Sequence, residues 1–367
     1  MIKPRKELES VTPYKPGKPI EEVKRELGLD DVIKLASNEN ALSPSPKVIA
    51  AITEAAKDIN RYPDGGSFYL KKAISDKFAI PGENIVLGNG SDEIIILALR
   101  AFVGAEEEVI VSDPTFLVYS IASSVIGAKV VSVPAKELRY DLDAMLGAIT
   151  SRTKMIFIAN PDNPTGSYIS RKEVEEFIQK VPDSVIVFLD EAYYEFAEET
   201  DEPDLVSFIE KKVSNVIIAR TFSKAYGLAG LRIGYGFARG DIAKALNTVR
   251  EPFNINSIAQ KAAVAALGDE EYMLKSVDFV NKEKEKMCNK LKNVDVKVVP
   301  SKTNFILITT YRDSVEIYKK LLEQGIIVRE MSPWGFDGFI RVTMGLEEEN
   351  EKFLKVFKGL IEKTDRK

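Results

Sequence analysis

An alternation limits what this chain can fold into more than any other feature. From about residue 48, short apolar runs rich in Val and Ile take turns with segments of helical length. The runs are "ENIVLGNG", "EEEVIVSDP", "KVVSVPA", "KMIFIANP", "SVIVFLDEA", "NVIIARTFSK" and "RIGYGFAR"; segments such as "SYISRKEVEEFIQK" and "GDIAKALNTVR" lie between them. A strand buried on both faces reads as a continuous apolar run, and such strands alternating with helices imply βαβ units. The expected fold is α/β, a mostly parallel sheet flanked by helices on both faces. Ligand sites in such sheets gather beyond the strand ends.

The pattern divides the chain into three. Residues 1–40, with "TPYKPGKP", read as an arm lying over the surface, and 41–255 read as the large domain that holds the sheet. Residues 256–367 read as a smaller α+β domain, with a charged helix over roughly 270–293 followed by "VKVVPS", "NFILITT", "GIIVRE" and "FIRVTMG". A length of 367 residues suits two cores.

Composition narrows the chemistry. The chain has no His, which excludes Ser-His-Asp triads, Cys-His pairs and the common zinc sites. Acid-base work therefore falls to Lys, Tyr, Asp or Glu. The single Cys288 sits in "NKEKEKMCNKL", so neither a disulfide framework nor a thiolate metal cluster is expected, and no metal site is assigned. A net charge of −5 argues against a nucleic-acid partner. No apolar run approaches the length of a membrane span and "MIKPRKELES" has no apolar segment after its charges, so a cytoplasmic enzyme is expected.

The polar residues at the run ends carry the function. "FIANPDNPTG" delivers Asn160 and Asn163, "VIVFLDEAYY" delivers Asp190 and Tyr193, and "TFSK" delivers Ser223 and Lys224. "NIVLGNG" leads into Ser91 and Asp92 at the start of an apolar helix, a natural phosphate seat because helix N-terminal amides point at an anion. Taken singly, each has a plain reading. The Asn-Pro-rich run is a stiff loop, Lys224 is one lysine among many, and "VIVFLDE" resembles a magnesium-holding strand end, although no GxxxxGK[ST] accompanies it. Taken together, four ends present an Asn, an Asp with a Tyr, a Lys and an anion seat. Pyridoxal phosphate uses that set: a Lys amine, an acid beside its ring nitrogen, donors at its ring hydroxyl and a seat for its phosphate.

The motifs "LASNENALSPSP", "RYPD", "GNGSDEII", "DPTFLVY", "NPDNPTG", "LDEAYYEF", "RTFSKAYGLAGLRIGY" and "GFIRVTMG" occur in the order found in fold-type I pyridoxal-phosphate aminotransferases. The chain resembles that family over nearly its whole length, and its histidinol-phosphate branch most. The resemblance implies that Lys224 forms the Schiff base and shuttles the proton, and that Asp190 pairs with the ring nitrogen. It implies that Asn163 and Tyr193 bond the ring hydroxyl oxygen and that Tyr119 stacks on the ring. Ser91, Asp92, Ser223 and Arg232 hold the phosphate on this reading. Tyr62 reaches the cofactor of a partner subunit, making a homodimer with shared sites. Arg341 grips the substrate carboxylate, with Arg329 and Tyr14 as further candidates for the substrate's phosphate. The implied reaction is ping-pong transfer between glutamate and histidinol phosphate.

Ala41 stands where the family often has Pro, and Trp334 and Phe336 precede Arg341. These leave open an aromatic-amino-acid aminotransferase or a threonine-phosphate decarboxylase. A cofactor-sensing regulator on the same fold needs a DNA-binding segment that the sequence does not supply.

Overall fold

The computed structural model describes residues 2–197, 206, 209 and 215–364. Its first strand, β1 (Ile33–Lys34), lies far from its neighbours in sequence. The expected runs then appear as β2 (Ile85–Gly88), β3 (Glu108–Asp113), β4 (Lys129–Pro134), β5 (Thr153–Ala159), β6 (Ile186–Asp190), β7 (Val216–Thr221) and β8 (Gly234–Ala238). They form one seven-stranded sheet in the order β2-β8-β7-β6-β5-β3-β4. Every pairing within it is parallel except those of β8, which runs antiparallel to both β2 and β7. β2, β6, β7 and β8 are buried at every position, as continuous apolar runs require.

This order places the functional ends together. The C-terminal ends of β2, β5, β6 and β7 share one edge of the sheet, and antiparallel β8 starts at that same edge. Arg232, just before β8, therefore meets Ser91, just after β2, across a long stretch of sequence. Two glycines make the approach possible. A Cβ on Gly234 would lie 2.5 Å from the Ser91 nitrogen, and one on Gly90 would lie 2.5 Å from Arg232 Nη2. Gly90 also has φ +80°, a left-handed backbone that favours glycine.

The C-terminal part builds a four-stranded antiparallel sheet from β9 (Lys297–Val299), β10 (Phe305–Thr309), β12 (Arg329–Glu330) and β13 (Phe339–Thr343), in the order β12-β13-β10-β9. Beside it, β11 (Ile326–Ile327) pairs in parallel with β1, Ile33 opposite Ile326. The charged helix expected over 270–293 spans Glu270–Leu291. Helix Ser257–Leu267 packs against helices Pro46–Ala55 and Phe68–Phe78. The N-terminal segment is thus woven in at β1, while residues 14–17 reach the functional edge described next.

Candidate active site

A cavity of about 430 Å³ opens between the two sheets, lined by the ends of β2, β5, β6 and β7, by residues 36–39 and by Arg329 and Arg341. Lys224 stands in it, three residues past β7. Its Nζ lies 3.5 Å from the Ser37 carbonyl and 5.7 Å from the centre of the Tyr193 ring. Burial, reinforced by the positive Arg341, lowers its pKa to about 8, against the opposing pull of Asp92 and Glu39. An amine so tuned is partly neutral near physiological pH, as a nucleophile or proton carrier must be.

Asp190 ends β6 with its carboxylate buried. Burial raises its pKa to about 6, while the Tyr119 hydroxyl (2.7 Å) and the Ala192 amide (3.1 Å) donate to its oxygens and pull the other way. Tyr119 was expected to offer its face to a cofactor ring. Instead its side chain is fully covered, stacked on Phe157 with centroids 4.6 Å apart, and its hydroxyl holds Asp190. Of the two aromatics in "DPTFLVY", the one partly exposed in the cavity is Phe116, edge-on to Tyr119 at 5.5 Å. Sequence reasoning passed over Phe116, although "DPTFLVY" contains both aromatics. A three-residue spacing cannot tell which ring faces the cavity until the helix Val118–Val125 is placed.

On the other side, Asn163 Oδ1 accepts from Arg341 Nη1, which leaves the Asn163 amide nitrogen for the cavity. Tyr193 is buried, and its hydroxyl accepts from Asn38 Nδ2 at 2.8 Å. Asn160, named with Asn163, plays another part: its side chain closes the loop through two 2.8 Å bonds with Ile169.

The anion seat assembles at the start of helix Ser91–Phe102. Ser223 lies beside Thr221, whose hydroxyl donates to Ser223 Oγ at 2.9 Å. Arg232 spans the seat, donating to Asp92 Oδ2 at 3.1 Å. Backbone amides at a helix start, two hydroxyls and a guanidinium make a cradle for a phosphate.

The second pole of the cavity is more unusual. Arg329 and Arg341 face each other across β12 and β13 as register partners, and both are buried. Neither has a carboxylate partner among the described residues; instead they donate to the carbonyls of Lys15 (2.6 Å) and Ala36 (3.0 Å). The Nε of each is buried without a hydrogen-bond partner among the described residues. Tyr14, about two-fifths exposed, lies 5.7 Å below the Arg329 guanidinium. Two buried, uncompensated cations are costly unless an anion completes them. Trp334 and Phe336 stand outside this cavity: they pack with Val299, Leu307 and Met331 in a small core of their own.

Tyr62 lies elsewhere. It is 83% exposed, stacked on Phe253 at 4.8 Å, and does not line its own chain's cavity.

A buried amine, a carboxylate held by two donors, a phosphate cradle and an arginine pair around one cavity define a cofactor-dependent group-transfer site. The chain belongs to the class I and II aminotransferases, enzymes that move amino groups on pyridoxal phosphate; the family model "Aminotransferase class I and II" matches residues 30–357. Among its relatives, the histidinol-phosphate aminotransferase of Moorella thermoacetica is 45% identical over 357 residues, covering 97% of this chain and 92% of the relative. Histidinol-phosphate aminotransferase 2 of Carboxydothermus hydrogenoformans is 45% identical over 359 residues, 98% of this chain and 99% of the relative. The crystal structure of the Sinorhizobium meliloti histidinol-phosphate aminotransferase in complex with pyridoxal-5'-phosphate superposes with a TM-score of 0.90. It is 30% identical and covers 98% of this chain and 97% of that one.

Proposed function

We propose that this transaminase exchanges an amino group between the glutamate/2-oxoglutarate pair and the histidinol phosphate/imidazole acetol phosphate pair, a step of histidine biosynthesis. The observation that supports it most is the arginine pair. Glutamate can place one carboxylate on Arg341 and the other on Arg329, and a phosphate dianion can be shared between the two. The planar fork of each guanidinium suits both anions. The names of the relatives point the same way.

The site fits pyridoxal phosphate on its own chemistry. Ser91, Asp92, Ser223 and Arg232 would hold the phosphate, Asp190 the ring nitrogen, and Asn163 and Tyr193 the ring hydroxyl, with Phe116 against the ring. When bound, the cofactor supplies an electron-withdrawing ring that stabilises negative charge at the substrate α-carbon and carries the amino group between the two half-reactions. The protein's own residues do the rest. Arg341 and Arg329 fix the substrate's anions and so set which bond at the α-carbon faces Lys224. The Lys224 amine moves the proton at that carbon. Asp190, anchored by Tyr119, keeps a positive charge opposite its carboxylate.

On this proposal the chain is organised as an arm over 1–40, a large domain over 41–255 and a small one over 256–367. Helix Ser257–Leu267 crosses back to rest on the large unit. The protein is a cytoplasmic homodimer on this proposal. Tyr62 supports it, being exposed and absent from its own cavity. Ile59, Phe68, Tyr69 and Phe253, also exposed, add apolar surface that suits a subunit interface. Among the described residues, no helix is long and apolar enough to cross a membrane.

Comparing amino donors on the purified enzyme tests the substrate. Histidinol phosphate should exceed phenylalanine and tyrosine in kcat/KM by at least about 100-fold, the order expected when a site built for an anion meets a substrate lacking it. Equal or better rates with phenylalanine would overturn the assignment.

A further inference from the structure

Asn38 belongs to no motif role assigned above, yet it is among the most constrained polar residues in the molecule. It is 1% exposed, in a left-handed backbone with φ 54°, and sits between the two units at the cavity wall. Its backbone amide donates to Thr343 Oγ1 at 3.0 Å, and the Thr343 hydroxyl donates to Asn38 Oδ1, also at 3.0 Å. Its Nδ2 donates to the Tyr193 hydroxyl oxygen at 2.8 Å, and its carbonyl accepts from Asn304 Nδ2 at 3.0 Å. Thr343 lies two residues beyond Arg341 on β13, so one side chain ties the strand of the substrate-facing arginine to a tyrosine on the large unit.

The direction of these bonds matters. The Thr343 oxygen already receives the backbone N–H, so its own proton goes to Asn38 Oδ1. That fixes the amide, with oxygen toward Thr343 and nitrogen toward Tyr193. Tyr193 Oη then accepts, and its single proton has no acceptor among the described residues. The ring lines the cavity, so the hydroxyl is left to donate into it.

We infer that Asn38 is a positioning residue for transamination: it polarises Tyr193 so that the tyrosine acts as an obligate donor to the cofactor's ring oxygen. The inference rests on the Tyr193 role proposed above. Tyr193 is also faced by Lys224, Arg341, Asp190 and Tyr14, all part of the same cavity wall. A hydrogen bond donated to the ring oxygen stabilises its anionic form. If the donor is lost, the bound cofactor keeps its shared proton to higher pH.

The test is a double-mutant cycle read on the cofactor-loaded protein. Asn38→Asp keeps the shape, suits the left-handed backbone and still accepts from Thr343. It reverses polarity at Tyr193, which must now donate to the carboxylate. Asn38→Gly removes the side chain without backbone strain and without adding charge. Asn38→Asp should move the pH midpoint of the cofactor's visible absorbance up by about one unit, the scale of one lost hydrogen bond to a charged group, and Asn38→Gly, which leaves Tyr193 its proton but no longer polarises it, should move it up by less. Each should lower kcat more than it raises KM. In a Tyr193→Phe background Asn38→Gly should not move the midpoint further, because the group through which Asn38 acts is gone; Asn38→Asp brings its own negative charge to the cavity wall and is read only with Tyr193 present. If Tyr193→Phe shifts the midpoint and the Asn38 variants do not, the Asn38 inference fails while the Tyr193 role stands. The same shift from Asn38→Gly in both backgrounds would show Asn38 acting on its own, and would also overturn the inference. No shift in Tyr193→Phe itself would sink the Tyr193 role, and this inference with it. Melting curves of the cofactor-free variants separate a loss of fold from a loss of polarity.

Discussion

The buried hydroxyl of Tyr119 donates to Oδ2 of Asp190 at 2.7 Å, and this bond is the largest of the pulls that oppose burial at the carboxylate. Burial pushes Asp190 up to about 6; the tyrosine pulls it down. Tyr119→Phe should therefore raise the Asp190 pKa further. The acid limb of the kcat/KM profile should move to higher pH by about one unit. A limb that stays in place would mean that the tyrosine only fills space.

Asp190 itself carries a stability consequence. Its folded-state pKa lies above the ordinary carboxylate value of 3.8, so the native state keeps the proton longer than the unfolded chain does. Stability of the cofactor-free protein should fall as pH rises from about 4 to about 6, and the penalty is fully present above that. Asp190→Asn removes it. That variant should be more stable than wild type near pH 7, by on the order of 1–3 kcal/mol, and no different from it near pH 3, while losing most of its kcat. Differential scanning calorimetry at both pH values, with turnover beside it, checks both halves.

Among the described residues, Lys224 is the one amine that lines the cavity. Borohydride reduction of the loaded enzyme should fix the cofactor to Lys224 alone, as peptide mapping would show. Lys224→Ala should leave almost no turnover. An adduct at another lysine would overturn the whole arrangement.

Arg341→Lys keeps the charge but loses the planar fork. It should cost about 10- to 100-fold in kcat/KM for both glutamate and histidinol phosphate, because the bidentate contact is what the site uses. Steady-state rates with both substrates decide it; a loss confined to one would assign Arg341 to that substrate only.

Tyr62 predicts complementation between subunits. Lys224→Ala chains mixed with Tyr62→Ala chains should recover activity, toward half of wild type per hybrid dimer, because one of the two sites then carries neither lesion. Absence of recovery after verified subunit exchange would place Tyr62 outside the partner's site.

The sheet was legible because parallel strands bury both faces, so "SVIVFLDEA" and "NVIIARTFSK" stand out as apolar runs. The reversed direction of β8 was not, since "GYGFA" is equally apolar read either way. Lys224 and Asp190 could be found because each sits where such a run stops. Phe116 and Tyr119 were harder to separate, since both are aromatic and only the helix start decides which one meets Asp190. β1 is two residues long and is defined by a partner near residue 326. For the same reason Asn38 gave no signal: its meaning depends on Thr343 and Tyr193, which no local pattern connects to it.

The pairing of β1 with β11 also sets a timetable for the newborn chain. Ile33 cannot find Ile326 until that residue has left the ribosome, a wait of about 15–60 s at ordinary synthesis rates. During that interval the sheet that carries Lys224 and Asp190 can already close, while segment 33–38 has no β11 or β13 to pair with. The active site is thus completed well after the large sheet, and a nascent chain stalled before residue 326 is expected to be cut by protease at this segment first.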